Sequence, residues 1–356
     1  MAKPTPRDAG GPRPRSVRSG NPAVRSGHTA PAPSARSPQP RRPAGSAPVP
    51  LVDQGVSPPD GAVYPQILRG ESFVWWRSVL GIVMGLSLYV LLTTLISRLV
   101  VTVAWSTTAA NVPYADYFTQ AFAFERPAGM LAANLGIATL IPISWAVLTV
   151  VHQVKPRWLS SVQPRIRWRY LLACLGVALV ALNGVQLLSI LLATERPTFG
   201  VQAGFWGFLV VIILTSPLQA AAEEIFFRGY LLQALGSMVA QPWFGVIGSS
   251  VVFALLHGTQ NWPLFINRLA FGLLAAILVW HTGGLEAGIA AHVINNVSAY
   301  LIAGLTTSIA TVKATQSIGW TEAAFGVAGF AVFAVLAYLV SRTTKLRTRV
   351  HLPLPR

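Results

Sequence analysis

Charge is scarce in this sequence, and acidic charge is the scarcest. Only 11% of the 356 residues are charged, with 11 Asp or Glu against 27 Lys or Arg. A soluble domain normally has about a quarter of its residues charged, because its surface is hydrated. The shortage of charge excludes an ordinary soluble globular protein. Apolar runs of about 20 residues recur instead, and they predict an all-α, polytopic membrane helical bundle.

Cysteine is almost absent. Cys174 is the single cysteine and lies inside an apolar run, which excludes an intramolecular disulfide. We expect Cys174 to be a small buried hydrophobe rather than a catalytic thiol. Roughly the first 70 residues also lack an apolar core segment, so no secretory signal peptide is expected and the first span should act as its own insertion signal.

Large apolar residues are also rare in residues 1–65, which hold 15 of the 26 prolines. A segment of this composition cannot bury enough apolar surface to offset its chain entropy. We therefore predict a disordered, basic, Pro-rich tail. About eight transmembrane helices follow, at residues 78–103, 129–151, 170–193, 205–235, 243–258, 263–281, 285–305 and 321–341.

The net charge of +16 is not spread evenly. Basic residues collect in the N-terminal tail, in the loop 152–169 and after residue 341. Clusters that flank apolar spans follow the positive-inside rule and attract anionic lipid. We therefore expect both termini to be cytoplasmic, the bilayer and its anionic lipids to be partners of the basic segments, and no nucleic acid to be bound.

Ionisable groups inside the predicted spans are few. Between Pro197 and Val312 they comprise five formal charges and three histidines: Glu223, Glu224, Arg228, Arg268, Glu286, His257, His281 and His292. A charge at membrane depth costs about 2.5–3.5 kcal/mol on insertion scales, so such groups usually face the protein interior and have a function. His281 and Glu286 flank a Gly-Gly turn, and we interpret them as boundary residues at the membrane interface.

Two pairs of polar positions share helix faces. Glu224 and Arg228 are four residues apart and should form an ion pair. Glu223 is rotated by about 100° from Glu224 and is left free to meet another partner. The turns around Arg228 are expected to emerge toward the cytoplasm. His257 ends an apolar helix, while His292 and Asn296 project from one face of the seventh span.

These groups suit hydrolysis. A carboxylate and an imidazole can hold and deprotonate a water molecule, while an amide and an imidazole N–H can stabilise an oxyanion. Three other interpretations stay open. Glu223, His257 and His292 are acceptable zinc ligands for the same reaction, the protein could be a transporter or immunity-type scaffold without enzymatic activity, and each polar group alone could serve helix packing.

The motifs Glu223-Glu224-x-x-x-Arg228, Phe253-x-x-x-His257 and His292-x-x-x-Asn296 occur in this order on successive predicted helices. Together they resemble the three motifs of the CAAX-protease and bacteriocin-processing (CPBP, Abi-type) family of intramembrane endopeptidases. The resemblance implies a membrane bundle with its site in an internal cavity. It also implies that Glu223 and His257 activate the water, that His292 and Asn296 form the oxyanion hole, and that Glu224 and Arg228 support the site.

With this resemblance the chain divides into four predicted parts. They are a cytoplasmic tail at 1–65, N-terminal membrane spans at 66–204, the catalytic core at 205–305, and the last span with a basic cytoplasmic C-terminus at 306–356. The implied substrate is a membrane-bound peptide or protein, with no cofactor, or with Zn in the alternative. Arg far outnumbers Lys, and Ala and Pro are abundant, which favours a GC-rich bacterium and its cytoplasmic membrane. Prenylated substrates are not expected there.

Overall fold

The computed structural model describes residues 56–194 and 197–352. The predicted disorder of residues 1–55 lies outside the described residues. The described residues form twelve α-helices and no β-strand, which confirms the all-α class. The helices are α1 Trp75–Thr108, α2 Tyr114–Phe122, α3 Pro127–Ala138, α4 Leu140–Val150, α5 Trp168–Leu192, α6 Phe205–Glu224, α7 Leu232–Met238, α8 Trp243–Leu255, α9 Trp262–Thr282, α10 Glu286–Thr306, α11 Ile309–Ala314 and α12 Trp320–Thr343.

Seven helical segments are long and apolar enough to cross a membrane. Two of them are composite: α3 and α4 together make Pro127–Val150, and α6 continues through a π-helix into α7 to make Phe205–Met238. The predicted span at 243–258 is shorter than expected, because α8 has 13 residues. At 1.5 Å per residue it is about 20 Å long, against about 30 Å for the hydrocarbon core. The prediction of about eight spans is confirmed as seven spans and one short apolar helix.

The long helices expose apolar surface. Only 11% of the most apolar window of α1 is buried inside the protein, and Val83, Val90 and Leu91 on this helix are exposed. In water such a surface would be a large aggregation-prone patch. Apolar side chains all along a span are instead typical of contact with lipid.

Two ends of the bundle are defined by contacts between loops. At one end, isolated backbone bridges join Val56 to Val154, Val63 to Arg349 and Ser161 to Gly284. At the other end, the amides of Gly200 and Gln202 donate to the carbonyls of Leu305 and Gly304. The loop 152–169 and the basic C-terminal segment therefore share one end, as the charge pattern predicts. Which side of the membrane this end faces stays a prediction.

The predicted tail extends too far along the chain. Tyr64 is fully buried and its hydroxyl donates to the carbonyl of Leu159. Ile67 and Leu68 are buried against the same core. Residues 56–65 were assigned to the tail because they contain few large apolar residues, but three-dimensional packing against the loop 152–169 and the C-terminal segment holds them in place. The tail boundary at residue 65 is therefore wrong for these ten residues. Cys174 is buried, as predicted.

Candidate active site

A π-helix shapes the region of the two glutamates. Helix α6 ends at Glu224, and residues Ile225–Leu231 continue it as a π-helix before α7 begins. π-Helical turns are rare and frequently occur at functional sites. Arg228 lies within this segment and is fully buried. The segment packs inside the bundle, and the Tyr230 hydroxyl is 3.3 Å from His152 Nε2 in the loop 152–169. That these turns lead toward the cytoplasm stays a prediction.

Glu224 and Arg228 form the expected ion pair, with Arg228 Nη1 at 2.9 Å from Glu224 Oε1. Both side chains are fully buried. The Arg228 guanidinium also lies over the ring of Phe253 at 3.9 Å and near that of Phe271 at 5.0 Å. A cation over an aromatic face is attracted by the ring quadrupole. The carboxylate and the two rings together keep this charge inside the bundle, which gives Phe253 of the second motif a structural role.

His292 lies between the two glutamates. Its Nδ1 is 2.8 Å from Glu224 Oε1, and its Nε2 is 3.2 Å from Glu223 Oε2. An imidazole with a carboxylate at each nitrogen donates to both only when both nitrogens carry a proton; otherwise one contact needs a protonated carboxyl. Glu223, which the sequence left free to meet a partner, contacts this histidine from α10. This histidine connects Glu223 to the buried pair Glu224–Arg228.

Gly288 makes this arrangement sterically possible. A Cβ atom at this position of α10 would lie 2.6 Å from Glu224 Oε2, a distance that real Cβ contacts do not show. The carboxylate therefore occupies the space that any larger residue would fill. No motif or spacing distinguishes this glycine from the others among the 30 in the chain.

His257 follows α8 directly and is exposed. Its Nδ1 lies 2.7 Å from the carbonyl oxygen of Phe253. A carbonyl only accepts hydrogen bonds, so Nδ1 carries the proton and Nε2 is the acceptor nitrogen of the neutral ring. The spacing Phe253-x-x-x-His257 thus fixes which nitrogen of His257 can accept a proton.

Asn296 is held by a residue that the sequence analysis did not select. Its Nδ2 donates to Gln219 Oε1 at 3.0 Å, and its Oδ1 accepts from Asn295 Nδ2 at 3.1 Å. Gln219 precedes Glu223 by four residues, so the helical repeat would have placed it on the same face of α6. Asn295 is rotated by about 100° from Asn296 on a helical wheel, yet it contacts Asn296 and borders the same space.

One cavity of about 630 Å³ connects these groups. Glu223, His257, His292 and Asn296 all line it, although they come from three different helical segments. Polar residues absent from the sequence prediction line it as well: Gln219, Asn295, Asn134, Asn267, Arg268, Tyr89, Tyr300 and Lys313. The cavity can hold both a water molecule and part of a peptide beside the predicted catalytic groups.

The zinc alternative requires Glu223, His257 and His292 to converge on one ion. Within the described residues, no group of three His, Cys, Asp or Glu side chains is placed to hold a metal ion. Both nitrogens of His292 already face carboxylates, so binding a metal would require His292 to break one of these contacts. The donor set as arranged does not fit a zinc ion.

Glu286 is not the interface residue that the sequence suggested. It is fully buried at the start of α10 and forms a bidentate ion pair with Arg167, at 2.8 Å to Nε and 2.5 Å to Nη2. Arg167 also donates to the carbonyl oxygen of Thr282 at 2.7 Å. This pair fastens the loop before α5 to the turn between α9 and α10, and so fixes the helix that carries His292 and Asn296.

Comparison with known proteins finds a family match over the part of the chain that contains these groups. Residues 205–298 match the family described as type II CAAX prenyl endopeptidase Rce1-like. Residues 205–298 are similar to an Rce1-like domain. They contain the three motifs, and the match confirms the resemblance inferred from these motifs. With the seven candidate spans, it makes the chain an integral membrane protein.

A relative from Bacillus subtilis (strain 168), the uncharacterized protein YyaK, is 27% identical to the chain over 165 residues. The aligned region covers 44% of this chain and 55% of that protein. The chain therefore spans about half the length of this relative. No solved structure matches the chain.

Proposed function

We propose that this protein is an intramembrane endopeptidase that hydrolyses a peptide bond in a membrane-associated protein or peptide. One observation carries the proposal: Glu223, His257, His292 and Asn296, which all belong to the Rce1-like segment 205–298, line a single cavity of a membrane bundle. A cavity of about 630 Å³ is large enough for a peptide segment and a water molecule.

In the proposed reaction, a water molecule bound between Glu223 and His257 attacks the scissile carbonyl carbon. Its proton passes to the Glu223 carboxylate or to Nε2 of His257. The carbonyl oxygen becomes an oxyanion, which accepts a hydrogen bond from the Asn296 amide and from an N–H of His292. When the C–N bond breaks, the retained proton moves to the leaving nitrogen, so that a carboxylic acid and an amine are formed.

His292 has two duties in this proposal. Its contact with Glu223 orients the carboxylate and disperses its charge before the reaction. Once Glu223 has taken a proton its attraction for His292 falls, and the Nε2–H becomes available to the oxyanion. The pair Glu224–Arg228 takes no proton in this scheme and holds His292 through Nδ1.

We predict that Glu223→Gln and His257→Ala each abolish cleavage, because either change removes half of the pair that activates the water. Asn296→Ala should retain binding and lower kcat by about 10²–10³, the usual effect of losing one oxyanion donor.

Substrates are identified by comparing membrane proteomes of cells that carry the wild type or Glu223→Gln, and cleavage is then measured with purified protein. Glu71→Gln, an exposed glutamate outside the spans, is the matched control. Full cleavage by Glu223→Gln would reject a peptidase that depends on this carboxylate and would favour the scaffold interpretation.

We also predict that activity does not depend on a metal ion. Purified protein is analysed for zinc, treated with a strong chelator and assayed before and after addition of zinc. We expect less than stoichiometric zinc and unchanged turnover. Stoichiometric zinc, with activity that disappears on its removal and returns on its addition, would replace the proposed mechanism by the zinc-dependent one with Glu223, His257 and His292 as ligands.

A further inference from the structure

Two cationic side chains line the same cavity as the predicted catalytic groups. Arg268 comes from α9 and Lys313 from α11, and Glu223 is the one Asp or Glu among the lining residues that the structure describes. Neither cation forms an ion pair with a described residue. The charge of Arg268 needs a reason, because Arg268 lies in the candidate span α9 and an unneutralised charge in a span costs about 2.5–3.5 kcal/mol on insertion scales.

Arg268 is held in a fixed position without being neutralised. Its Nη1 donates to Gln260 Oε1 at 2.8 Å, and Gln260 Nε2 donates to the carbonyl oxygen of Ala254 at 2.7 Å. Ala254 lies in the last turn of α8, three residues before His257. A neutral amide therefore ties the guanidinium to the element that carries His257. The other guanidinium nitrogens stay available for an anion.

Lys313 is placed by aromatic rings. Its ammonium lies 5.6 Å from the ring centre of Phe122 and 5.2 Å from that of Phe124. Such contacts orient a cation and leave its net charge in place. Backbone and side-chain hydrogen bonds of Asn261 to Gln316 and Ile318, at 2.9 and 2.8 Å, join the loop after α8 to the loop after α11. Arg268 follows the first of these two joined loops, and Lys313 precedes the second.

On the basis of the proposed peptidase function, we propose that Arg268 and Lys313 form a carboxylate-binding subsite that determines substrate specificity. The peptide in the cavity presents a carboxylate to Arg268, which can bind it through two parallel N–H donors. Lys313 adds attraction at the exposed rim. The carboxylate belongs either to an Asp or Glu side chain or to a free C-terminus of the peptide.

The charges of the site favour this assignment. Glu223 repels an anion placed directly beside it, so a substrate carboxylate is stable in the cavity only next to the two cations. An acidic peptide is therefore oriented in one direction relative to Glu223 and His257. The binding of a phospholipid phosphate by the same cations is the main competing explanation.

The test uses fluorogenic decapeptide libraries of randomised sequence, one with free C-termini and one amidated, and purified protein in nanodiscs of zwitterionic lipid. Selected peptides are resynthesised with Glu→Gln replacements. We expect wild-type kcat/KM to fall about tenfold or more when the carboxylate is removed, the effect of one charged hydrogen-bond pair. A loss with Glu→Gln identifies a side-chain carboxylate, and a loss with amidation identifies the C-terminus.

Arg268→Gln should bring the ratio of kcat/KM for the acidic peptide to kcat/KM for the neutral peptide to about one, mainly through KM of the acidic peptide. Lys313→Gln should lower this ratio less, because Lys313 is exposed. Arg98→Gln, an exposed arginine on α1 that does not line the cavity, is the matched control. Equal cleavage of acidic and neutral peptides by the wild type, or an undiminished preference in Arg268→Gln, would overturn the subsite. The subsite would also be overturned if cleavage by the wild type depended on added anionic lipid and the only effect of Arg268→Gln were to abolish this dependence.

A binding measurement separates this proposal from the peptidase function. Anisotropy of the labelled acidic and neutral peptides is recorded with Glu223→Gln and with Glu223→Gln/Arg268→Gln. Preferential binding of the acidic peptide that is lost in the double variant supports the subsite even if the wild type cleaves nothing. That result would reject the proposed peptidase function and retain the carboxylate-binding subsite. Equal binding of both peptides by Glu223→Gln overturns the subsite.

Discussion

At the scale of single residues, the site depends on one histidine with two carboxylate neighbours. His292 contacts Glu223 through Nε2 and Glu224 through Nδ1, and Glu224 in turn neutralises the buried Arg228. Removing one partner from a buried charged pair is costly, about 3–5 kcal/mol, because the other charge is left without compensation. A Glu224 variant could therefore lose activity because the buried Arg228 and His292 are no longer held in place, and such a loss would not show that Glu224 takes part in the reaction.

A more selective change at this scale is Gly288→Ala. Its Cβ would lie 2.6 Å from Glu224 Oε2, so the carboxylate has to move and His292 moves with it. We predict that kcat falls by about 10², since a misplacement of about 1 Å near a catalytic group has effects of this size. The measurement is steady-state cleavage of the identified substrate, together with the melting temperature in detergent.

Gly176→Ala is the control for this substitution. Gly176 lies inside α5 with no atom within 4 Å of an added Cβ, and alanine is the better helix former by about 0.5–1 kcal/mol. Unchanged cleavage and equal or higher stability are expected for it. If Gly288→Ala retains full activity, the position of Glu224 does not matter for turnover and its supporting role is wrong.

At the scale of elements, the segment 56–68 is part of the folded body. Tyr64, Ile67 and Leu68 are buried in the main core, and Leu352 N donates to Asp60 Oδ1 at 2.9 Å. Residues near both ends of the described chain are therefore joined to each other at the basic end of the bundle.

We predict that deletion of residues 2–55 leaves membrane insertion, melting temperature and cleavage unchanged, because every described contact of the segment 56–68 is retained. Deletion of residues 2–68 should lower the melting temperature markedly. It removes three large buried side chains, each of which contributes about 1.5–3 kcal/mol. Thermal unfolding in detergent and the cleavage assay measure both. A truncation at residue 55 that inserts normally but no longer cleaves would place part of the active machinery in the tail.

At the scale of the whole molecule, the exposed rim of the cavity lies toward the end of the bundle opposite the basic clusters, whereas the predicted catalytic groups lie nearer the basic end. The exposed residues of the cavity rim include Gly258, Thr259, Lys313 and Gln316, all in connections near the end opposite the loop 152–169. His292 is six residues into α10, about 9 Å from the basic end of this helix. Combined with the positive-inside rule, this geometry predicts that the substrate segment enters from the non-cytoplasmic side.

The orientation is tested with single cysteines in a Cys174→Ala background. Glu71→Cys and Thr344→Cys report on the basic end, and Gly200→Cys reports on the other; all three positions are exposed. We expect a membrane-impermeant thiol reagent to label Gly200→Cys in intact cells, and to label the other two only after lysis. The reverse pattern would mean that the cavity faces the cytoplasm and that the basic clusters do not set the orientation.

The sequence alone determined the class of protein, most of the spans and the three motifs. Apolar runs of about 20 residues are readable because hydrophobic burial in a bilayer depends mainly on composition and length. The ion pair of Glu224 with Arg228 and the contact of His257 with the Phe253 carbonyl were implied by a spacing of four residues, since the helical repeat brings such positions together. These are local properties of the chain.

Only the tertiary structure decided how these local pieces meet. The placement of His292 between Glu223 and Glu224, the support of Asn296 by Gln219, and the pair Arg167–Glu286 join positions that are about 70 to 120 residues apart in the chain. The sequence shows which of these side chains are polar. Helical periodicity does not predict which of them form hydrogen bonds or ion pairs with one another, because the partners lie on different helices. Buried polar groups must find hydrogen-bond partners somewhere, and which partners they find depends on the packing of whole helices against one another.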